Sequence, residues 1–362
     1  MLILLCKYLI LPLISIIAKL KRIGMENKPG SEDPFRLVVD VGESSSLMDY
    51  NTPSLWIGSC FTENIGSYIQ ELRFPAGVNP FGVLYNPESI RQSLMILAEE
   101  KEFTAGDLRF GNELWYSFSH HTSFSHTDRD TCLQNINGSV ERASMLLRKA
   151  RFLFLTFGTG RAYRLKETGQ IVSNCHKLPH SMFDHELLSA GEITASYTAL
   201  ISKLSEINPG INIVLTLSPV RHWKDGPTGN LVSKSVLMVS IAGLAERFDN
   251  VSYFPAYEIV MDELRDYRFY EEDMIHINRA GAGYIRKRFM ECFVDPEALP
   301  LVKEITAILQ GIGHRPFNPS TESHRRFLRS LLDRIDRFEK AVPSADLSAE
   351  REEVMQRVGI FG

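Results

Sequence analysis

Cysteine is scarce in this sequence, with five residues in a chain of 362. The five are odd in number, scattered and without Cys-x-x-Cys spacing: Cys6, Cys60, Cys132, Cys175 and Cys292. Such a set argues against a disulfide framework and favours a reducing compartment. We therefore predict a cytoplasmic protein in which each cysteine is a small buried side chain.

Charge of one sign is not in excess either, with 40 Lys and Arg against 44 Asp and Glu and a net charge of -4. The lack of a basic surplus argues against a nucleic-acid partner, and the lack of an acidic tract argues against disorder. Neither a Gly-x-x-x-x-Gly-Lys-Ser/Thr loop nor a Gly-x-Gly-x-x-Gly loop occurs, so nucleotide binding has no support and we predict no cofactor.

The N-terminus is the part that raises a targeting question. Residues 1–18 are nearly all apolar, and a basic flank of Lys19, Lys21 and Arg22 follows them. A signal peptide carries its positive charge before the apolar run and a small-residue cleavage site after it, so a secretory signal fits poorly. Two interpretations stay open. Either residues 1–24 are not translated and the chain starts at Met25, or residues 1–20 contact a membrane and the basic flank keeps the rest cytoplasmic.

Further along, short apolar runs alternate with segments of helical spacing. The predicted strands are residues 55–59, 151–157, 211–217 and 251–255, and the predicted helices are residues 62–73, 88–101, 138–150, 191–207, 233–248 and 277–293. This alternation predicts an α/β fold with a mostly parallel sheet between helices.

Two segments depart from that alternation. Residues 102–135 are rich in aromatic, His and Ser residues, which indicates an inserted region of irregular or β character. Residues 299–362 are charged and of helical spacing. We therefore predict an apolar N-terminal segment over 1–24, a main domain over 35–298 and a helical C-terminal extension over 299–362.

A serine stands where the first predicted strand meets the first helix. Ser59 follows Gly58 at that turn, so the helix N-terminus offers N–H groups and a positive dipole end beside its hydroxyl. A serine needs a base to attack at neutral pH. Asp273-Met274-Ile275-His276 can supply one, because the spacing lets the carboxylate hold one imidazole nitrogen and frees the other for Ser59.

The motif Gly58-Ser59-Cys60-Phe61 and its surroundings resemble the GSCFA family, which is similar to the SGNH (GDSL-like) hydrolases. Further segments over residues 35–320 look like family blocks: Asn79-Pro80-Phe81-Gly82, Asn174-Cys175-His176-Lys177, Ser218-Pro219-Val220-Arg221-His222, Phe254-Pro255-Ala256-Tyr257-Glu258, Asp266 to His276, and His314-Arg315-Pro316-Phe317-Asn318. The resemblance implies a three-layer α/β/α, flavodoxin-like SGNH-hydrolase sheet.

The resemblance also implies residue roles. Ser59 matches the nucleophile, and its backbone N–H is expected to donate to the oxyanion. Asp273 and His276 match the acid and base. Gly82 matches a glycine whose N–H helps bind the oxyanion. One position departs from the SGNH pattern, because the turn Gly158-Thr159-Gly160-Arg161 lacks the usual Asn. Either Thr159 or Asn79 takes its place.

Several other residues are candidates for substrate contact. Arg221 and His222 follow a strand end, so they either anchor a carboxylate or sugar or form a loop salt bridge. His176 is a candidate pocket residue. His176, His180 and His185 are spaced like metal ligands, but Pro179 interrupts the helix that would align them, and we predict no metal. A second set either lines a sugar-binding face or is simply packed or solvated: Trp115, Tyr116, His120 and His121. Cys60 is interpreted as packing beside the nucleophile.

The leading functional hypothesis is ester hydrolysis through an acyl-Ser59 intermediate, with a small-molecule or glycan ester as substrate. Acyl transfer to a sugar by the same residues is a second hypothesis. A non-catalytic carbohydrate-binding protein on a decayed hydrolase fold is the third, motivated by the missing Asn. The sequence leaves the oligomeric state open.

Overall fold

A parallel five-stranded sheet forms the middle layer of the protein, in a computed structural model that describes residues 37–359. The strands of the described residues are β1 (Ser54–Gly58), β2 (Ala76–Val78), β3 (Arg109–Gly111), β4 (Leu114–Tyr116), β5 (Phe152–Phe157), β6 (Arg161–Leu165), β7 (Ile171–Val172), β8 (Phe183–Leu187), β9 (Asn212–Leu217) and β10 (Val251–Phe254). The central sheet has the order β10-β9-β5-β1-β2. This is the flavodoxin-like order, with its topological switch point between β1 and β5. The predicted α/β fold is confirmed.

Helices cover both faces of this sheet. The long helices of the described residues are α1 (Cys60–Glu71), α2 (Pro87–Ala98), α3 (Arg129–Lys149), α4 (Ala190–Ile207), α5 (Gly226–Arg247), α6 (Arg279–Phe293), α7 (Leu299–Gly313), α8 (Glu322–Ala341) and α9 (Ser348–Gly359). A short helical turn, Ala256–Glu258, continues as a π-helix over Ile259–Glu263. Helices α2 to α5 pack on one face, and α1 and α6 to α9 pack on the other.

The side chains of each central strand alternate between these two faces, as the pleat of a strand requires. In β1, Leu55 and Ile57 join the core under α2 to α5, whereas Trp56 joins the core on the α1 and α6 side. Because both faces are covered, the strand is buried throughout and carries the apolar run Leu55-Trp56-Ile57, which is why it could be recognised in the sequence.

Three features differ from the sequence-based expectation. β2 has only three residues, too few to show a period, and its segment is not among the predicted strands. Helix α3 begins at Arg129 rather than at the predicted residue 138, because Asp128 caps it by accepting from Thr131 N–H at 2.7 Å. A three-stranded antiparallel sheet, β7-β6-β8, follows the central strand β5 and was not predicted.

Of the described residues, one helical stretch, Trp223–Arg247, has the length and hydropathy to cross a membrane. Its helix α5 packs against α4 and against β9 and β10, with Leu237, Ile241 and Leu244 fully buried. The predictions for residues 1–24 and for a membrane contact through residues 1–20 fall outside the described residues.

Candidate active site

Ser59 lies at the sheet edge where β1 ends and α1 begins. It is 1% exposed, and its Oγ has no hydrogen-bond partner among the described residues. Gly58 permits the turn, because a Cβ at that position would stand 2.5 Å from the carbonyl oxygen of Thr156. The serine hydroxyl is therefore held beside a helix N-terminus at the switch point of the sheet, where α/β proteins bind their ligands.

Asp273 and His276 form the pair that the sequence predicted. Asp273 Oδ2 lies 2.6 Å from His276 Nδ1, and Oδ1 accepts from the N–H groups of Ile275 and His276, both at 2.9 Å. The hydrogen bond from the His276 side chain is the main reason that the pKa of Asp273 falls to about 2. The carboxylate thus stays ionised and orients the imidazole so that Nε2 is available.

Ser59 and His276 line one pocket of about 600 Å³ at this edge of the sheet. No hydrogen bond joins them, since Ser59 Oγ has no partner in the described part of the chain. Catalytic hydrogen bonds of this kind commonly tighten only when substrate binds. The structure therefore brings Ser59 and His276 to one pocket and joins Asp273 to His276, with the Asp–His bond formed and the His–Ser bond not formed.

Thr159 is one of two predicted replacements for the missing Asn, and its donors are already used. The N–H groups of Gly158 and Thr159 donate to the carbonyl of Tyr85 at 2.8 and 3.0 Å. The Thr159 hydroxyl lies 3.0 Å from Ser233 Oγ and accepts from the N–H of Arg161 at 3.1 Å. An oxyanion contact from Thr159 is therefore disfavoured.

Asn79 is the other replacement, and half of its side chain is unused. Its Oδ1 accepts from the N–H of Gly58 at 2.9 Å, one residue before Ser59. Its Nδ2 is buried and has no hydrogen-bond partner among the described residues. Unsatisfied buried donors are costly in proteins, so a pair of N–H groups left beside a serine calls for an acceptor. The Ser59 N–H likewise finds no backbone acceptor in residues 37–359.

Gly82 does not occupy the position predicted for it. Its N–H donates to the carbonyl of Asn79 at 2.7 Å and closes the turn that carries Asn79. Its φ is +74°, and a Cβ there would lie 2.3 Å from His121 Cβ. Gly82 therefore shapes the Asn79 turn, and its predicted contact with an oxyanion is not supported.

Two family models match the chain. The GSCFA family model covers residues 54–289, and the model described as GSCFA domain protein, C-terminal domain, covers residues 305–359. The chain belongs to the GSCFA family. No curated protein matches the chain.

The buried side of this GSCFA site contains a lysine that sequence reasoning missed. Lys234 of α5 is 2% exposed, and its Nζ donates to the carbonyls of Gly158 and Ser218 at 2.7 and 2.6 Å. Burial lowers the pKa of Lys234 to about 7. A lone lysine inside the apolar stretch of α5 was the signal that could have revealed it.

His222 lies close to Ser59. A Cβ built on Gly158 would stand 3.2 Å from His222 Nε2 and 3.4 Å from Ser59 Cβ. The absence of a side chain at Gly158 therefore leaves the space between His222 and Ser59 open. Burial, and after it the charge of Lys234, lowers the pKa of His222 to about 4. His222 is therefore neutral at physiological pH and lines the pocket, and its predicted contact with substrate stays a prediction.

The antiparallel sheet β7-β6-β8 also contributes side chains to the pocket. Tyr163 and His185 stack there with ring centroids 4.4 Å apart, and Lys224 Nζ donates to the Tyr163 hydroxyl at 2.8 Å. Arg161 Nε lies 3.6 Å from a carboxylate oxygen of Asp225. Aromatic and cationic groups thus line the same pocket as Ser59.

His176 is not placed as predicted. It is 6% exposed, its Nε2 lies 3.0 Å from the carbonyl of Ser117, and its ring stacks on Tyr116 at 4.3 Å. Packing of the insertion therefore occupies the side chain that sequence reasoning assigned to substrate. His120 is likewise fully buried, and its ring stacks on Phe81 at 4.7 Å. It is therefore a packed side chain and not part of a sugar-binding face.

No group of three His, Cys, Asp or Glu side chains that could hold a metal ion occurs in residues 37–359. Cys60 lines the pocket next to Ser59, and burial raises the pKa of its thiol. A raised pKa leaves little thiolate at neutral pH, which makes Ser59 the better candidate nucleophile.

Proposed function

We propose that this GSCFA protein is a serine-dependent ester hydrolase of the SGNH type. The observation that carries the proposal is one pocket lined by Ser59, whose hydroxyl has no partner among the described residues, and by His276, which Asp273 orients. Nucleophile, base and orienting carboxylate are the three parts that acyl transfer to a serine requires. The four described cysteines are unpaired thiols, in keeping with the cytoplasmic location that we propose.

In the proposed reaction, Ser59 Oγ attacks the ester carbonyl while His276 Nε2 accepts the hydroxyl proton. Asp273 stabilises the imidazolium that forms, and the Ser59 N–H and Asn79 Nδ2 donate to the developing oxyanion. The intermediate collapses, the carbon–oxygen bond to the alcohol breaks, and His276 returns the proton to the leaving oxygen. Water then attacks the acyl-Ser59 carbonyl with the same assistance and releases the acid.

We further propose an acylated carbohydrate as the substrate. Tyr85, Tyr163 and Trp223 line the pocket, and Trp223 is 51% exposed. Aromatic faces with a polar edge suit sugar rings, which are apolar on one face and hydroxylated at the rim. The free Nδ2 of Asn79 also weakens the case for a decayed, non-catalytic site, because that case depended on a missing donor.

Ester turnover by matched variants tests the proposal. We expect the wild type to release acetate from an acetylated oligosaccharide, and Ser59→Ala, His276→Ala and Asp273→Asn each to lose about 10³-fold or more in kcat. His314→Ala, which alters an exposed histidine outside the pocket, should keep full turnover. Turnover in Ser59→Ala within tenfold of wild type would reject the mechanism.

A further inference from the structure

The charge of the candidate active site is opposite to that of the chain. The chain has a net charge of -4. The residues lining the pocket nevertheless include the cations Arg161, Arg221 and Lys224 and one carboxylate, Asp225. A cleft of one sign in a protein of the other sign concentrates ligands that complement the cleft. The excess of cationic over anionic side chains in the pocket therefore indicates an anionic ligand.

Two of the three cations have partners on the same wall. Arg161 Nε stands 3.6 Å from Asp225 Oδ1, and Lys224 donates to the Tyr163 hydroxyl at 2.8 Å. Arg221 differs from both. Within residues 37–359 no carboxylate stands within ion-pair distance of it, and its one hydrogen-bond contact is Met261 Sδ at 3.9 Å from Nη2.

Arg221 is also placed next to the reacting groups. It precedes His222, whose Nε2 lies beside Ser59, and it lines the same pocket as His276. Its guanidinium is half-buried, so an ion pair formed there is less screened by salt than one at the surface.

We infer that the substrate is an ester of a sugar or polyol that carries a carboxylate, and that Arg221 binds this carboxylate. That the substrate is an ester rests on the proposed hydrolase function. That Arg221 binds a carboxylate does not depend on that function. A carboxylate fits because one unpaired guanidinium offers two parallel N–H groups and one positive charge, which match a singly charged fork. A phosphate monoester carries nearly twice that charge and would leave part of it uncompensated.

A binding experiment tests the site without any turnover. Titration calorimetry with Ser59→Ala compares glucuronate with glucose, which differ by a carboxylate in place of a hydroxymethyl group. We expect glucuronate to bind about 10- to 100-fold more tightly, and Ser59→Ala/Arg221→Gln to lose that preference. Ser59→Ala/Arg329→Gln, with an exposed arginine on α8 replaced, should retain it. Equal affinities for the two sugars, an unchanged preference without Arg221, or tighter binding of glucose 6-phosphate would each overturn the inference.

Turnover then separates this inference from the proposed function. With O-acetyl glucuronate and O-acetyl glucose, the wild type should show a 10- to 100-fold higher kcat/KM for the acid, about the same factor as in binding. Arg221→Gln should lower kcat/KM for the acid alone. If glucuronate binds through Arg221 but neither ester is hydrolysed, the anion site stands and the hydrolase proposal fails. If both esters are hydrolysed equally, the hydrolase stands and the anion site fails.

Discussion

At the scale of single residues, Asn79 forms a hydrogen bond with one end of its side chain and leaves the other end unused. Its Oδ1 fixes Gly58 at 2.9 Å, and its Nδ2 has no partner among the described residues. Its backbone has φ +45°, a left-handed conformation that Asn and Asp adopt more readily than other residues with a Cβ. Aspartate is therefore the variant that keeps the backbone and the acceptor but removes the donor.

We predict that Asn79→Asp lowers kcat about 100- to 1000-fold, because it removes an oxyanion donor. Thr159→Val is the matched control, since the Thr159 hydroxyl is used by Ser233 and should affect kcat by less than about tenfold. Steady-state kinetics on an acetyl ester makes the comparison. The reverse ranking of the two variants would return the oxyanion contact to Thr159.

His120 gives a second prediction at this scale. Burial lowers its pKa to about 3, whereas an unfolded histidine titrates near 6.5. Between these pH values the unfolded chain binds a proton that the folded chain does not, so stability falls as pH drops below about 6.5. His176, with a pKa lowered to about 4 by burial, acts in the same direction.

We predict that His120→Phe removes the proton uptake that His120 contributes on unfolding. As pH decreases, the unfolding free energy of this variant should therefore fall less steeply than that of the wild type, by about 1.4 kcal/mol per pH unit between pH 6 and 4. Urea unfolding at several pH values measures the slope. His314→Gln, at an exposed position, serves as control and should keep the wild-type slope. Parallel slopes for wild type and His120→Phe would show that His120 is already protonated or accessible.

The sequence predicted which residues form the candidate site better than it predicted their hydrogen bonds. Ser59, Asp273 and His276 could be found because each lies in a short local pattern. The assignment of Gly82 failed because a sequence does not tell which backbone N–H groups other carbonyls already use. His176 failed for a related reason, since its stacking on Tyr116 joins residues that are 60 positions apart.

At the scale of secondary-structure elements, Lys234 joins the ends of β5 and β9 from helix α5. Its two acceptors, Gly158 and Ser218, follow those strands directly. Their carbonyls would otherwise be left without a donor at a site where strand pairing has ended. No local pattern predicts this contact, because Gly158 is 76 positions away in sequence.

We predict that Lys234→Met destabilises the protein by about 2–5 kcal/mol, because two buried carbonyls lose their donor. Lys203→Met is the control, since it removes an exposed ion pair with Glu99 and should cost less than about 1 kcal/mol. Chemical unfolding measures both. A Lys234→Met protein as stable as wild type would mean that other groups satisfy these carbonyls.

The elements that were predicted well are those with strong periodicity. β5 and β9 are mostly apolar and lie between helices, so their place in a parallel sheet followed from the sequence. The sheet β7-β6-β8 was missed because its strands mix buried and exposed residues without regular alternation, as in β6 with Arg161 and Arg164. Its role as a pocket wall depends on long-range contacts that no local window contains.

At the scale of the whole molecule, the C-terminal helices share a core with the central sheet. Phe338 of α8 meets Tyr50 edge-on at 5.8 Å, and Tyr50 stacks on Phe74 at 4.4 Å, beside β2. Ile305, Leu331 and Ile335 belong to the same buried cluster as Trp56 of β1. A helical extension was expected from the sequence, but its continuity with the main core was not.

We predict that Phe338→Ala lowers the unfolding free energy by about 3–5 kcal/mol and leaves a single transition. Circular dichroism follows the helices, and tryptophan fluorescence follows Trp56 together with Trp115 and Trp223, all of which lie outside the C-terminal helices. Both transitions should move together to lower urea concentration. A shift seen by circular dichroism alone would show that the C-terminal helices unfold as a separate unit.

The most direct test of the central claim is to locate the site of reaction with a fluorophosphonate. The reagent forms a covalent bond only with a serine that has a base and an oxyanion site beside it. We predict one adduct on the wild type, assigned by tandem mass spectrometry to Ser59, no adduct on Ser59→Ala, and strongly slowed labelling of His276→Ala. A folded wild type that forms no adduct, or an adduct on another residue such as Cys60, would contradict the account.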